Sequence, residues 1–236
     1  YRKVIFIIGF LCCFGSSSWS QQIGFDFPPG VQSVKIPFER YNNLIVIPII
    51  INQSISIKFI LDTGVQFAIL TEKAFGDFLN LEYDRRLSVQ GPGLADSISA
   101  QVATQINMSL PGGIKSGINQ SLLVLEDNYL DLRKNLGEEV YGIIGYDLFS
   151  RFVIKINYDA QYLELYEPKY FRPKGKLIRV PLNIVNTKPY IDASLTFDDD
   201  EEKKMNLMVD TGASHALLLN DNLKDIRLPE KTLKTI

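Results

Sequence analysis

The chain has 236 residues, 46% of them hydrophobic, 22% charged and 11% aromatic, which is enough apolar content for one sizeable core or two small ones. Twenty-five basic residues against 27 acidic ones give a formal charge of −2. That balance offers no basic patch for a nucleic acid and no acidic tail, and leaves a soluble globular protein as the starting expectation.

At the N-terminus, Arg2-Lys3 precede an apolar run from Val4 to Phe14, followed by "GSSSWSQQ". A basic start, a short apolar stretch and small residues at Ser18 and Ser20 are the parts of a secretory signal peptide, read here as residues 1–20. The apolar run is too short to span a bilayer, so no stable membrane anchor is expected after cleavage. Cys12 and Cys13 both fall inside it. The mature chain therefore has neither a disulfide nor a thiol nucleophile, and neither cysteine follows a lipoprotein cleavage box. Export without disulfides fits a bacterial periplasmic, cell-envelope or secreted protein. The sequons at Asn52, Asn107 and Asn119 matter only in a eukaryotic secretory route. Without an initial Met, residues upstream of Tyr1 are expected.

Beyond residue 30, apolar runs alternate with turn signals and helical periodicity is scarce. "NNLIVIPIII" (42–51), "ISIKFIL" (55–61), "RFVIKINY" (151–158) and "QYLELYEP" (161–168) predict strands bounded by Asn, Gly, Asp or Pro. Short helices are expected around Glu72–Leu79 and Asp147–Ser150, with a weaker one over Asn128–Leu136. The class is mostly β.

The chain also repeats itself. "VKIPFERYNNLIVIPIII…IKFILDTGVQFAIL" is echoed by "IRVPLNIVNTKPYIDASL…MNLMVDTGASHALLL". Pro37 lies 25 residues before Asp62, and Pro181 lies 29 before Asp210. The extra residues fall in "FDDDEEKK" (197–204), a solvated hairpin turn without the spaced oxygen ligands and Gly of a calcium loop. An Asp-Thr-Gly has a chance probability of roughly 10⁻⁴ per position. Two copies inside a repeat, each between a β run and apolar residues, are not chance.

Asp-Thr-Gly between apolar strands predicts a tight turn that projects a carboxylate into a crevice, where an isolated acid is costly to bury. Two related lobes packed about a pseudo-two-fold axis would bring Asp62 and Asp210 together. Carboxylates sharing a site hold one proton between them, which supplies a general base and a general acid for attack by water on an amide. Thr63 and Thr211 are suited to hydrogen bonds across the lobes, and Gly64 and Gly212 to close backbone approach. Other schemes fail by inventory. His215 is the sole histidine, which rules out HExxH zinc sites, and no nucleophile elbow is present. His215 itself reads as a packing or surface residue, and "GPGLAD" lacks the third Gly and the Lys of a nucleotide loop. No cofactor and no metal are expected.

"LDTG", "VDTG" and "YGIIGYDLFSRFVIKINY" (141–158) resemble the aspartic proteases, in particular the retropepsin-like ones. Exported bacterial proteases with two such repeats, often followed by a PDZ module, are the nearest likeness, which covers most of 31–236. The resemblance implies a bilobal acid-protease fold of β-barrel repeats. Residues 31–170 form the first lobe and 176–236 the N-terminal part of the second. It implies catalytic roles for Asp62 and Asp210, supported by Thr63, Gly64, Thr211 and Gly212. It also implies that Ile143-Ile144-Gly145 runs under the catalytic loop, and that "VQGPGLADSISAQV" (89–102) is a flap with Gly91, Pro92 and Gly93 at its tip. The partner would be a peptide or protein substrate gripped as an added strand by a pseudo-dimeric monomer. A protease fold that binds peptides without cutting them is the alternative, and assembly of each repeat within a homodimer a third.

Two features depart from the family pattern. The residue after Gly is Val65 in one copy and Ala213 in the other, where pepsin-like members carry Ser or Thr that donates to the acid. A pH optimum less acid than pepsin's is therefore expected. Asp62 to Gly145 takes 83 residues, but only 26 follow Asp210, so the second lobe is expected to continue beyond Ile236 and the present chain to be inactive alone.

Overall fold

The computed structural model describes residues 24–89, 97–117, 120–196 and 202–219. In chain order the strands are β1 (Phe25–Asp26), β2 (Ser33–Pro37), β3 (Glu39–Tyr41), β4 (Leu44–Ile51), β5 (Ile55–Leu61) and β6 (Ile69–Leu70). After helix α1 (Lys73–Phe78) come β7 (Tyr83–Val89), β8 (Ile98–Ile106), β9 (Met108–Ser109), β10 (Lys115–Ser116) and β11 (Gln120–Leu125). Helix α2 (Leu132–Leu136), β12 (Val140–Ile144), helix α3 (Tyr146–Phe149), β13 (Val153–Asn157) and β14 (Tyr162–Tyr166) follow. The last strands among the described residues are β15 (Asn183–Val185), β16 (Lys188–Thr196) and β17 (Glu202–Met208). The fold is mostly β. The expected signal peptide at 1–20, with its two cysteines, lies outside the described residues.

The main sheet runs β1-β10-β9-β4-β5-β12-β6-β11-β8-β7, with β3 also paired to β4. A smaller sheet, β13-β14-β2, gathers the N-terminal strand against the hairpin that follows α3. Strands β4 and β5 read as continuous apolar runs because both their faces are covered. Ile45, Ile47, Ile49 and Ile51, with Ile57, Phe59 and Leu61, point into the main core. The alternate positions Leu44, Val46 and Ile60 pack with Val140 and Ile143 in a second cluster on the other face. Each fully buried Ile or Phe contributes about 1.5–3 kcal/mol. Lys58, on that second face, meets Glu39 at 2.7 Å and Glu138 at 3.4 Å.

The expected strand at 42–51 begins two residues late, because Asn42 and Asn43 form a two-residue turn with φ of 47° and 67°. Positive φ at both positions is the geometry of the hairpin turns that match strand twist, and Asn tolerates it. The helix expected at Asn128–Leu136 is confined to Leu132–Leu136, since the segment before it bends through Asp131 at a left-handed φ of 42°.

Strand β12 enters between β5 and β6, parallel to β5 with Ile143 opposite Ile60 and Ile144 opposite Leu61. It is antiparallel to β6. The approach is close: a β-carbon on Gly142 would lie 2.2 Å from the Phe59 ring. Gly142→Ala is expected to cost about 1–3 kcal/mol by overpacking, seen as a lower urea midpoint with unchanged slope. An unchanged midpoint would mean that the Phe59 ring moves aside freely.

Candidate active site

Strand β5 ends at Leu61 and delivers Asp62-Thr63-Gly64 directly onto β12. The Asp62 N–H donates to the Ile144 carbonyl at 2.8 Å, and the Tyr146 N–H donates to the Val65 carbonyl at 3.1 Å. The turn is thus held from below on both sides of its acid. A β-carbon on Gly145 would sit 1.8 Å from the Asp62 carbonyl oxygen, so no other residue permits this contact.

The second Asp-Thr-Gly is reached through the same hairpins. In the first copy Glu39 pairs with Val46, and Val46 with Ile60. In the second Asn183 pairs with Tyr190, and Tyr190 with Met208. The registers superimpose residue by residue. The turn at Asn186–Thr187 repeats the left-handed pair, with φ of 48° and 69°. Burial differs: along β16 and β17 Ile191, Ala193 and Leu195, with Met205 and Leu207, are half-buried, while Asp192, Ser194 and Asn206 face out. Of the acid run at 197–204, only Glu202–Lys204 fall within the described residues.

The two turns interlock through their threonines. The Thr63 hydroxyl donates to the Val209 carbonyl at 2.6 Å and accepts from the Thr211 N–H at 3.1 Å. The Thr211 hydroxyl donates to the Leu61 carbonyl at 2.8 Å and accepts from the Thr63 N–H at 3.1 Å. The exchange is reciprocal, since Leu61 and Val209 occupy the same position in the two copies. Thr63 is buried, so these polar groups would be costly to leave unpaired.

This crossing brings the carboxyls together. Asp62 Oδ1 accepts from the Gly64 N–H at 2.6 Å, and Asp210 Oδ1 from the Gly212 N–H at 2.8 Å. A β-carbon on Gly212 would lie 2.3 Å from Asp62 Cγ, so the Asp62 carboxyl rests on bare backbone of the other turn. Burial pushes the Asp62 carboxyl up to about 7, reinforced by the negative charge of Asp210 and a hydrogen bond with it. The Gly64 N–H and the Lys188 ammonium act in the opposite direction. The pair therefore keeps its proton to a higher pH than an isolated aspartate would.

The remaining candidates lie apart from the pair or outside view. The proposed flap tip, Gly91, Pro92 and Gly93, lies outside the described residues. Its flanking strands β7 and β8 pair antiparallel as far as Val89 opposite Ile98. His215 is exposed and hydrogen-bonds the Ser214 hydroxyl at 3.1 Å. Among the described residues no group of three His, Cys, Asp or Glu side chains is placed to hold a metal ion.

Sequence reasoning missed a brace behind the first turn. Asp147 on α3 accepts from Gln120 Nε2 at 2.6 Å and from the backbone N–H of Ala68. Burial pushes the Asp147 carboxyl up, and among the described residues its buried Oδ2 has no hydrogen-bond partner. The acid was visible in "IIGYD", but its partners come from distant segments and no local pattern announces them.

No family model matches this chain, and no curated protein matches it. Among solved structures, a retropepsin-like aspartic protease from Rickettsia conorii is similar over 57% of this chain and 90% of its own. The identity is 20% and the TM-score 0.39.

Thr63→Val and Thr211→Val should each destabilise the protein by about 1–3 kcal/mol, because each leaves backbone groups of the opposite turn unsatisfied. The double variant should cost less than the sum of the singles, as measured by denaturant unfolding. Asp62 carries a second stability signature. A raised carboxyl binds more protons folded than unfolded, so it costs stability as pH rises from about 4 through about 7. Asp62→Asn should raise the melting temperature at pH 8 and change it little at pH 4. Equal effects at both pH values would contradict burial of that charge.

Proposed function

We propose that this protein is an aspartic endopeptidase of the retropepsin-like kind, hydrolysing peptide bonds with a water activated between Asp62 and Asp210. The observation that carries the proposal is the reciprocal threonine exchange, which joins two Asp-Thr-Gly turns and leaves one carboxyl raised to about 7 beside another. Two carboxyls with one proton between them form an acid and a base within reach of the same water molecule. The ionised member takes the proton of the attacking water, and the protonated member donates to the carbonyl oxygen of the scissile amide. The carboxyl that took the water's proton then gives it to the amide nitrogen, which leaves as an amine, while the other takes back a proton from the diol as the carbonyl re-forms. No metal or cofactor is needed for this sequence of proton transfers.

An extended peptide would lie across the two turns, held by main-chain hydrogen bonds in the manner of an added strand. The hairpin of β7 and β8 would close over it, with Gly91, Pro92 and Gly93 as the flap tip. Export to a periplasmic, envelope or extracellular compartment, with a monomer as the working unit, belongs to the same proposal. So do two lobes, at 31–170 and 176–236.

Val65 packs half-buried against the cluster of Leu44, Val46 and Ile60 and places no hydroxyl beside Asp62. The ionised pair therefore lacks a stabilising donor there, which supports an optimum above that of pepsin.

Asp62→Asn and Asp210→Asn should each reduce peptide hydrolysis by the full-length protein about 10²–10⁴-fold or more. A statine-type mimic of the tetrahedral intermediate should bind wild type far more tightly than either variant. In wild type, kcat/KM should decline as pH rises through about 7. Hydrolysis that survives Asp62→Asn would remove the carboxyl-pair mechanism. Peptide binding without hydrolysis by wild type would favour the non-cutting alternative.

A further inference from the structure

The two copies share backbone register but not charge. Continuing the β4–β5 register past Val46–Ile60 sets Leu44 opposite Asp62. Continuing the β16–β17 register past Tyr190–Met208 sets Lys188 opposite Asp210. That ladder does continue, since the Val209 N–H donates to the Pro189 carbonyl at 2.9 Å. Leu44 is buried in the second apolar cluster, whereas Lys188 is half-buried at the start of its strand. The turn preceding Leu44 also reaches the opposite copy: Asn43 Nδ2 donates to the Ser214 carbonyl at 3.4 Å, four residues past Asp210. Among the described residues no ion pair involves Lys188.

We propose that Lys188 is a positioning residue for the carboxyl pair, its ammonium favouring the ionised member and setting the pH range over which the pair holds a single proton. The inference deepens the protease reading, on which it rests for its consequence in catalysis. Among the described residues, the charged groups acting on Asp62 are Asp210 from the opposite turn and Lys188 from the opposite hairpin. The other titratable side chains on the flanking segments are turned to other contacts. Asp147 holds Gln120 and Ala68, His215 holds Ser214, and Tyr146 is exposed. A cation beside a carboxyl pair favours its ionised forms, because each proton lost creates negative charge.

The test is a carbon-13 carboxyl titration of wild type, Lys188→Met and Lys188→Arg, with pH–rate profiles measured on the same full-length proteins. In Lys188→Met both steps of the pair should move up by about half a pH unit, and Lys188→Arg should titrate like wild type. A merely structural lysine would change the melting temperature or kcat without moving the steps. Lys188→Gln carries the same test if the Met variant does not fold. Superimposable titrations of wild type and the neutral variant would overturn the proposal, as would an Arg variant that shifts as far as Met. The titration needs no turnover. A shift in a protein that hydrolyses nothing would sink the protease reading and leave the role of Lys188 standing, whereas hydrolysis with unmoved steps would do the reverse.

Discussion

The reciprocal hydrogen bonds of Thr63 and Thr211 are the constraint on which the site depends. Two acids brought together away from bulk water repel, and left alone the turns carrying them would separate. Four hydrogen bonds of ordinary net strength contribute about 2–6 kcal/mol, the same order as the penalty of burying and juxtaposing the carboxyls. Their geometry matters as much as their sum. Each hydroxyl donates to a carbonyl one residue before the other copy's acid, so a displacement of either turn breaks bonds in both. The carboxyls cannot relax apart without unsatisfying buried backbone groups.

Missing side chains are the second half of the design. Gly145 admits the Asp62 carbonyl, Gly142 admits the Phe59 ring, and Gly212 admits the Asp62 carboxyl. None of these residues has the positive φ for which glycine is usually invoked. They are needed because backbone, ring and carboxyl each come within a bond length or two of where a β-carbon would stand. The insertion of β12 between β5 and β6 produces the first two contacts, and the crossing of the turns produces the third.

Much of this was legible in the residues, and the rest was hidden for a definite reason. Strands β4, β5, β13 and β14 and helices α1 and α3 follow local apolar runs and turn residues, within a residue or two. The repeat was legible because Pro37 and Pro181, and the two Asp-Thr-Gly turns, are separated by nearly the same spacing. Even the paired left-handed turns had a signature in Asn42-Asn43 and Asn186-Thr187, although Thr187 is an unexpected residue at φ of 69°. The parallel pairing of β12 with β5, the Asp147–Gln120 brace and the register position of Lys188 were not legible. Each joins segments tens of residues apart, and a single sequence carries no mark of which distant segments meet.

The copies coincide in backbone while their environments diverge. Here the first hairpin is covered on both faces and places Leu44 opposite its acid, while the second alternates half-buried apolar and exposed polar residues and places Lys188 there. The Asp62 carboxyl rests against Gly212, whereas a β-carbon on Gly64 would come no nearer than 3.7 Å to Asp210 Oδ1. A duplicated scaffold fixes the distance between the acids. Substitutions that leave its register untouched then make the two ends of that distance unequal.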